Sequence, residues 1–242
     1  MKEFINLLDE YIEKRREEQA KKHRPLALHE FYATQCGSCP RALFYSKRGH
    51  HKPENTKLNR IFLVGDIFHE FIQNNIFDND TIPEYKLKIR YKNITIRCRV
   101  DGISNTHIIE LKTWMGKKEI ANIEHILQLN IPLHEFQAKR GKLIYIDKRS
   151  FGISEHEFGY NKKYFEFVGD RFQLVYECLK ANKLPEKIQD KKKCIKCYHK
   201  ELCNKDILLT DESMSPICPK CNSFNTEKEK FKSICKECNH RW

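Results

Sequence analysis

The placement of the cysteines constrains this chain more than any other feature. There are eleven in 242 residues. Cys36 and Cys39 sit early. Cys194, Cys197 and Cys203 form a second group, and Cys218, Cys221, Cys235 and Cys238 a third. Cys98 and Cys178 stand alone. The start, Met1-Lys2-Glu3-Phe4, carries an acid early and no long apolar run, so it does not read as a secretion signal. No stretch approaches the roughly 18 consecutive apolar residues of a membrane span. The expected home is the cytoplasm, with no membrane partner. There, grouped cysteines point to metal rather than to disulfides. The two isolated ones read as small buried apolar residues.

The third group has the spacing Cys218-x2-Cys221-x13-Cys235-x2-Cys238, that of a four-thiolate zinc ribbon. Residues 218–242 are too few to bury a core, so zinc is expected to supply the folding energy. Asn222 and Asn239 stand where each knuckle turns and where positive φ is needed. Docking DNA, docking a protein and capping the chain are all open roles for it. Residues 206–217 read as a linker. In the second group, Cys194-x2-Cys197-x5-Cys203, three thiolates need a fourth ligand, and Cys39 is the candidate. From spacing alone, Cys36-x2-Cys39 with Cys194-x2-Cys197 makes an alternative zinc site that leaves Cys203 spare.

Between the cysteine groups the hydrophobic period changes. Residues 2–22 predict a helix with Phe4, Ile5, Leu8, Tyr11 and Ile12 as its apolar stripe. Residues 60–77 predict another, with Ile61, Val64, Phe68, Phe71 and Ile72 inward and His69 on it. Alternation over 85–91, 94–100 and 107–113 predicts three antiparallel strands, turning at Lys92-Asn93 and Gly102-Ile103-Ser104-Asn105. A helix near 117–138, strands near 142–147 and 152–158, and a helix over 161–180 complete an α/β core. The expected divisions are an N-terminal helical segment (1–59), a core (60–182), a cysteine loop (183–205), the linker and the ribbon.

The formal charge is +12. Two four-thiolate sites lower that to about +8. The balance still favours a polyanionic partner such as nucleic acid. The chain has no G-x-x-x-x-G-K-[ST] sequence, which excludes a P-loop motor.

Asp101 ends the second strand, and Glu110-Leu111-Lys112 lies in the third. Alternation puts Glu110 and Lys112 on one face. An isolated Asp-x8-Glu-x-Lys is commonly a set of solvated strand charges, and a lone His on a helix is commonly structural. Here the charges interrupt the apolar run Ile108-Ile109-Glu110-Leu111-Lys112, which is costly unless they serve a site. Two carboxylates suit Mg²⁺ or Mn²⁺. Such a cation activates water and neutralises phosphate charge, while a lysine orients the water or stabilises the developing anion. His69 adds a nitrogen donor that favours Mn²⁺.

Gly65-Asp66-Ile67-Phe68-His69-Glu70, Val100-Asp101-Gly102, Glu110-Leu111-Lys112 and Gln128 resemble the motifs of RecB-like nucleases, which have the PD-(D/E)xK restriction-endonuclease-like fold. The resemblance implies that His69, Asp101, Glu110 and the Leu111 carbonyl hold the metal. It makes Lys112 the catalytic lysine and Gln128 the start of a Q-x-x-x-Y motif. Pro132 stands where that motif has Tyr, and is expected to end or kink the helix. Cys39-Pro40-Arg41 with Tyr45, and the stretch from Asp170 to Cys203, resemble the CRISPR-associated RecB-like exonucleases, the family numbered four among the Cas proteins. By that resemblance Cys39, Cys194, Cys197 and Cys203 hold a 4Fe-4S cluster that clamps the core. It also implies a single-stranded DNA-end exonuclease of 5′-to-3′ polarity, a part in CRISPR spacer acquisition, and CRISPR integrase proteins as partners. A viral or mobile-element recombination nuclease shares the chemistry. The readings from other classes are a non-catalytic DNA-end adaptor and a ribbon-containing transcription accessory protein.

Overall fold

A computed structural model describes residues 3–21, 26–50, 55–188, 190–208, 226–229, 232–235 and 239–241. In chain order its elements are α1 (Phe4–Lys21), β1 (Glu30–Tyr32), α2 (Pro40–Lys47), α3 (Thr56–Asn75), β2 (Ile82–Tyr91), β3 (Ile94–Ile103), β4 (His107–Trp114), α4 (Ile123–Glu135), β5 (Arg140–Asp147), β6 (Ile153–Phe158), α5 (Lys162–Lys180), α6 (Lys191–Ile195), α7 (Lys200–Asn204), β7 (Thr226–Glu229) and β8 (Lys232–Cys235). The class is mixed α/β. Among the described residues no helix is long and apolar enough to cross a membrane.

Two compact units interleave along the chain. The first comprises Met1–Arg24, Pro53–Ile89 and Cys98–Phe165; the second comprises Pro25–Lys52, Arg90–Arg97 and Glu166–Trp242. In the first unit the strand order is β3-β4-β5-β6, and β2 also pairs with β3. β3 and β4 are antiparallel, β4 and β5 parallel, β5 and β6 antiparallel. A parallel pair needs a crossover, and α4 supplies it, capped by the Asn122 side chain, which accepts the Glu124 N–H at 3.0 Å. Ile72, Ile109, Leu111 and Ile146 form a buried core cluster, with Phe68, Phe77 and Ile144 packed on it.

In the second unit β1 runs parallel to the start of β3, Glu30 opposite Thr95. Phe31 and Phe172, both fully buried, stack at 4.6 Å. The buried Glu30 carboxylate receives the Arg97 guanidinium at 2.7 Å and the Ala27 N–H at 3.0 Å. The ammonium of buried Lys47 donates to the Ala27 and Glu30 carbonyls, and burial pushes its pKa down to about 7.

The elements depart from the sequence expectations in several places. β1 and α2 add to the expected elements. The β3–β4 turn is shorter, because Gly102 and Ile103 belong to β3, opposite Ile109 and Ile108. α4 neither starts at 117 nor ends at Pro132. It runs on to Glu135, with the Phe136 N–H donating to the Pro132 carbonyl. Of the α1 stripe, Phe4, Ile5 and Tyr11 are exposed and Ile12 is buried; on α3, Ile61, Val64 and Phe71 are exposed and Ile72 is buried. The two helices meet through ion pairs, Arg60 forked on Asp9 at 2.8 and 2.7 Å and Arg15 on Glu70, so their contact needs less apolar surface than a helical stripe suggests. Cys98 is buried as expected, whereas Cys178 is only half-buried. Asn239 has φ of 54°, the conformation its knuckle position requires.

Candidate metal and catalytic site

The β3–β4 register fixes what alternation alone left open. Gly102 pairs with Ile109, so Asp101, one residue earlier, reaches β4, and its Oδ2 accepts the Leu111 N–H at 2.7 Å. Oδ1 lies 3.2 Å from Nδ1 of His69, which α3 delivers from its final turns. The Asp101 carbonyl accepts from Gln73, one helical turn beyond His69, at 3.1 Å. Gln73 is a positioning contact that sequence reasoning missed. Its spacing of four from His69 on one helix face was the available signal.

Glu110 projects from β4 into the same region. Its Oε1 accepts from Lys112 Nζ at 2.6 Å and from Gln128 Nε2 at 2.5 Å, and Lys112 also donates to Gln128 Oε1 at 3.1 Å. Asp101 and Glu110 are 5% and 4% exposed. Such burial is tolerable only for paired carboxylates. Burial pushes the Glu110 carboxyl up to about 7, against the pull of Lys112. Burial also opposes charging of His69, but the hydrogen bond and charge of Asp101 outweigh it and raise its pKa. The Asp66 carboxyl, one turn before His69, is raised by burial.

The first unit therefore brings His69, Asp101, Glu110, Lys112 and Gln128 together. Leu111 is fully buried, and its engaged group is the N–H on Asp101. Among the described residues no three His, Cys, Asp or Glu side chains form a ready-made metal-binding group. The donor set nonetheless suits a hard cation: two carboxylates for Mg²⁺ or Mn²⁺ and one imidazole.

In the second unit, Cys39, Cys194, Cys197 and Cys203 line one cavity of about 60 Å³, and Cys36 is not among its walls. Cys36 is 1% exposed. Arg41 borders the cavity. Its guanidinium donates to the Pro185 carbonyl at 2.6 Å, the Cys203 carbonyl at 3.3 Å and the Asp206 carboxylate at 2.5 Å. Burial raises the Cys197 thiol, and the other three cysteines add to it. Cys218, Cys221 and Cys238 lie outside the described residues; Cys235 ends β8, which pairs antiparallel with β7.

No family model matches the chain, and no curated protein does. Among solved structures, the crystal structure of SSO0001 is similar at a TM-score of 0.61 and 22% identity, covering 83% of this chain and 98% of that one. That likeness shows a shared fold. The alkaline exonuclease LHK-Exo from Laribacter hongkongensis gives a TM-score of 0.45 at 13% identity, over 64% of this chain and 90% of that one.

Proposed function

We propose that this chain is a metal-dependent nuclease of the PD-(D/E)xK type that hydrolyses DNA at single-stranded ends. The observation that carries this reading is the meeting of His69, Asp101, Glu110, Lys112 and Gln128 on one side of the first unit's sheet. Solvated strand charges would not be buried together. His69, Asp101 and Glu110, with the Leu111 carbonyl, would hold Mg²⁺ or Mn²⁺, which supplies an activated water and neutralises phosphate charge. Lys112 holds the Glu110 carboxylate at one edge and lies where its positive charge would meet the attacking water or a phosphate oxygen. Gln128 fixes the lysine by accepting from it while donating to Glu110. Water adds at phosphorus and gives up a proton to solvent, the bond to the leaving oxygen breaks, and that oxygen takes up a proton from solvent.

The grouping of Cys39, Cys194, Cys197 and Cys203 on one cavity supports a 4Fe-4S cluster in the second unit, since four thiolates are what such a cluster requires. With the motif resemblance, this makes CRISPR spacer acquisition the favoured setting, with integrase proteins as partners. A recombination nuclease is the alternative. Zinc in the ribbon follows from the spacing of Cys218, Cys221, Cys235 and Cys238.

The test compares the parent chain with Lys112→Ala on end-labelled single-stranded DNA with Mn²⁺. The expected outcome is loss of cleavage with binding retained. Equal cleavage by both would remove Lys112 from the chemistry. A parent that binds DNA and cuts nothing would leave the adaptor reading.

A further inference from the structure

His125 lies one turn before Gln128 on the same face of α4, and Tyr145 on β5 stands opposite Lys112 on β4. Neither belongs to the motif set the sequence singles out. Tyr145 is 1% exposed, so its phenol needs partners on both counts, as donor and as acceptor. Its oxygen accepts the Asn122 N–H at 2.9 Å. The hydroxyl proton then goes to Nδ1 of His125, also 2.9 Å away. A neutral imidazole that accepts at Nδ1 carries its hydrogen on Nε2. The His125 ring is only partly buried, and among the described residues its hydrogen bond is the one at Nδ1. Burial and then the nearby Lys112 charge push the His125 pKa down to about 4, so the ring is neutral at pH 7.

We propose that His125 is a substrate-binding residue whose neutral Nε2–H donates to a non-bridging oxygen of the phosphodiester beside Lys112, with Tyr145 as the positioning residue that fixes the tautomer. This rests on the nuclease reading above. A neutral donor meets charge that builds on the phosphate in the transition state. An imidazolium in its place would repel both Lys112 and a divalent cation. The fixed tautomer removes the cost of reorienting the ring when substrate arrives.

The experiment uses the full chain, with end-labelled single-stranded DNA and Mn²⁺, for the parent, Lys112→Ala, His125→Phe and His125→Gln. His125→Phe is expected to lower kcat about 100-fold, with Mn²⁺ affinity close to the parent's and a lower melting temperature, because the buried Tyr145 hydroxyl loses its acceptor. His125→Gln, which keeps an N–H of similar reach, is expected to recover most of that loss. A readout free of activity is the two-bond ¹H–¹⁵N spectrum of the metal-free protein at pH 7. It should show His125 as the Nε2–H tautomer in the parent and a tautomer mixture in Tyr145→Phe. Parental kcat in His125→Phe overturns the proposal, and so does an Nδ1–H tautomer in the parent. If His125→Phe does not fold, His125→Gln and the spectrum decide. A parent as inactive as Lys112→Ala defeats the nuclease reading, and this inference with it.

Discussion

At Glu110 two effects oppose each other: burial favours the neutral acid, and the Lys112 ammonium at 2.6 Å favours the carboxylate. Burial wins, and the pKa stands at about 7. The sign of the pH effect follows. The folded pKa lies above the unfolded one, so this group favours folding at low pH, and that contribution is lost as pH rises through about 7. A divalent cation needs the ionised form. Mn²⁺ affinity of the metal-free chain is therefore expected to rise with pH up to about 7 and then level off, with protons released on binding below that point. Calorimetry in two buffers of different ionisation enthalpy measures both. Affinity that does not change between pH 5.5 and 8 would contradict this assignment of Glu110. In Lys112→Ala the plateau should move to higher pH, because the group that holds the carboxylate charged is gone. The sequence made these residues legible because charge inside an apolar strand is expensive. It left Gln73, His125 and Tyr145 unmarked, because each acts through a contact between elements that no local pattern records.

At the scale of elements, α4 decides whether Gln128 reaches Lys112 and Glu110. The helix lies on β5 where Gly141 leaves room. A Cβ there would come within 2.7 to 2.9 Å of the Leu129 and Leu133 side chains. Gly141→Ala should therefore lift the helix, at a cost of about 1–3 kcal/mol of stability. It should also lower activity more than it lowers metal affinity, since Gln128 rides on α4 and the carboxylates do not. Chemical denaturation with a parallel Mn²⁺ titration separates the two effects. A Gly141→Ala protein with parental stability would show that this packing is slack. The alternating strands β2, β3 and β4 were legible because alternation is local. β1 was not, since three residues carry no period. The helix end at Pro132 was misread, because a proline near a C-terminus removes one N–H without preventing a last turn. The stripes of α1 and α3 misled because apolar spacing does not reveal that the two helices meet through Arg60–Asp9 and Arg15–Glu70.

The molecule as a whole divides its chemistry: the carboxylates and lysine in one unit, the four cysteines in the other. The cysteine spacing is legible in the sequence, but the interleaving of the units is not, since it depends on where β3 and α5 pass from one unit to the other. Arg41 ties α2 to residues more than 140 positions away through Pro185, Cys203 and Asp206. Its side chain is 10% exposed. Arg41→Met is expected to cost about 2–4 kcal/mol by leaving carbonyls and a carboxylate without their donor. Thermal melts of protein purified without oxygen measure that loss, and iron content follows whether the cysteine cavity survives it. Unchanged stability would mean that these long-range contacts are replaceable by solvent.

We propose that DNA is hydrolysed at the Asp101–Glu110–Lys112 site. The most direct test is release of nucleotide from an end-labelled single-stranded oligonucleotide by the full chain, purified without oxygen, with Mn²⁺ and with EDTA. The expected result is release with Mn²⁺ and none with EDTA. Tight DNA binding without release in Mn²⁺ or Mg²⁺, on single-stranded or double-stranded substrate, would rule out hydrolysis at this site and make the chain a DNA-end adaptor.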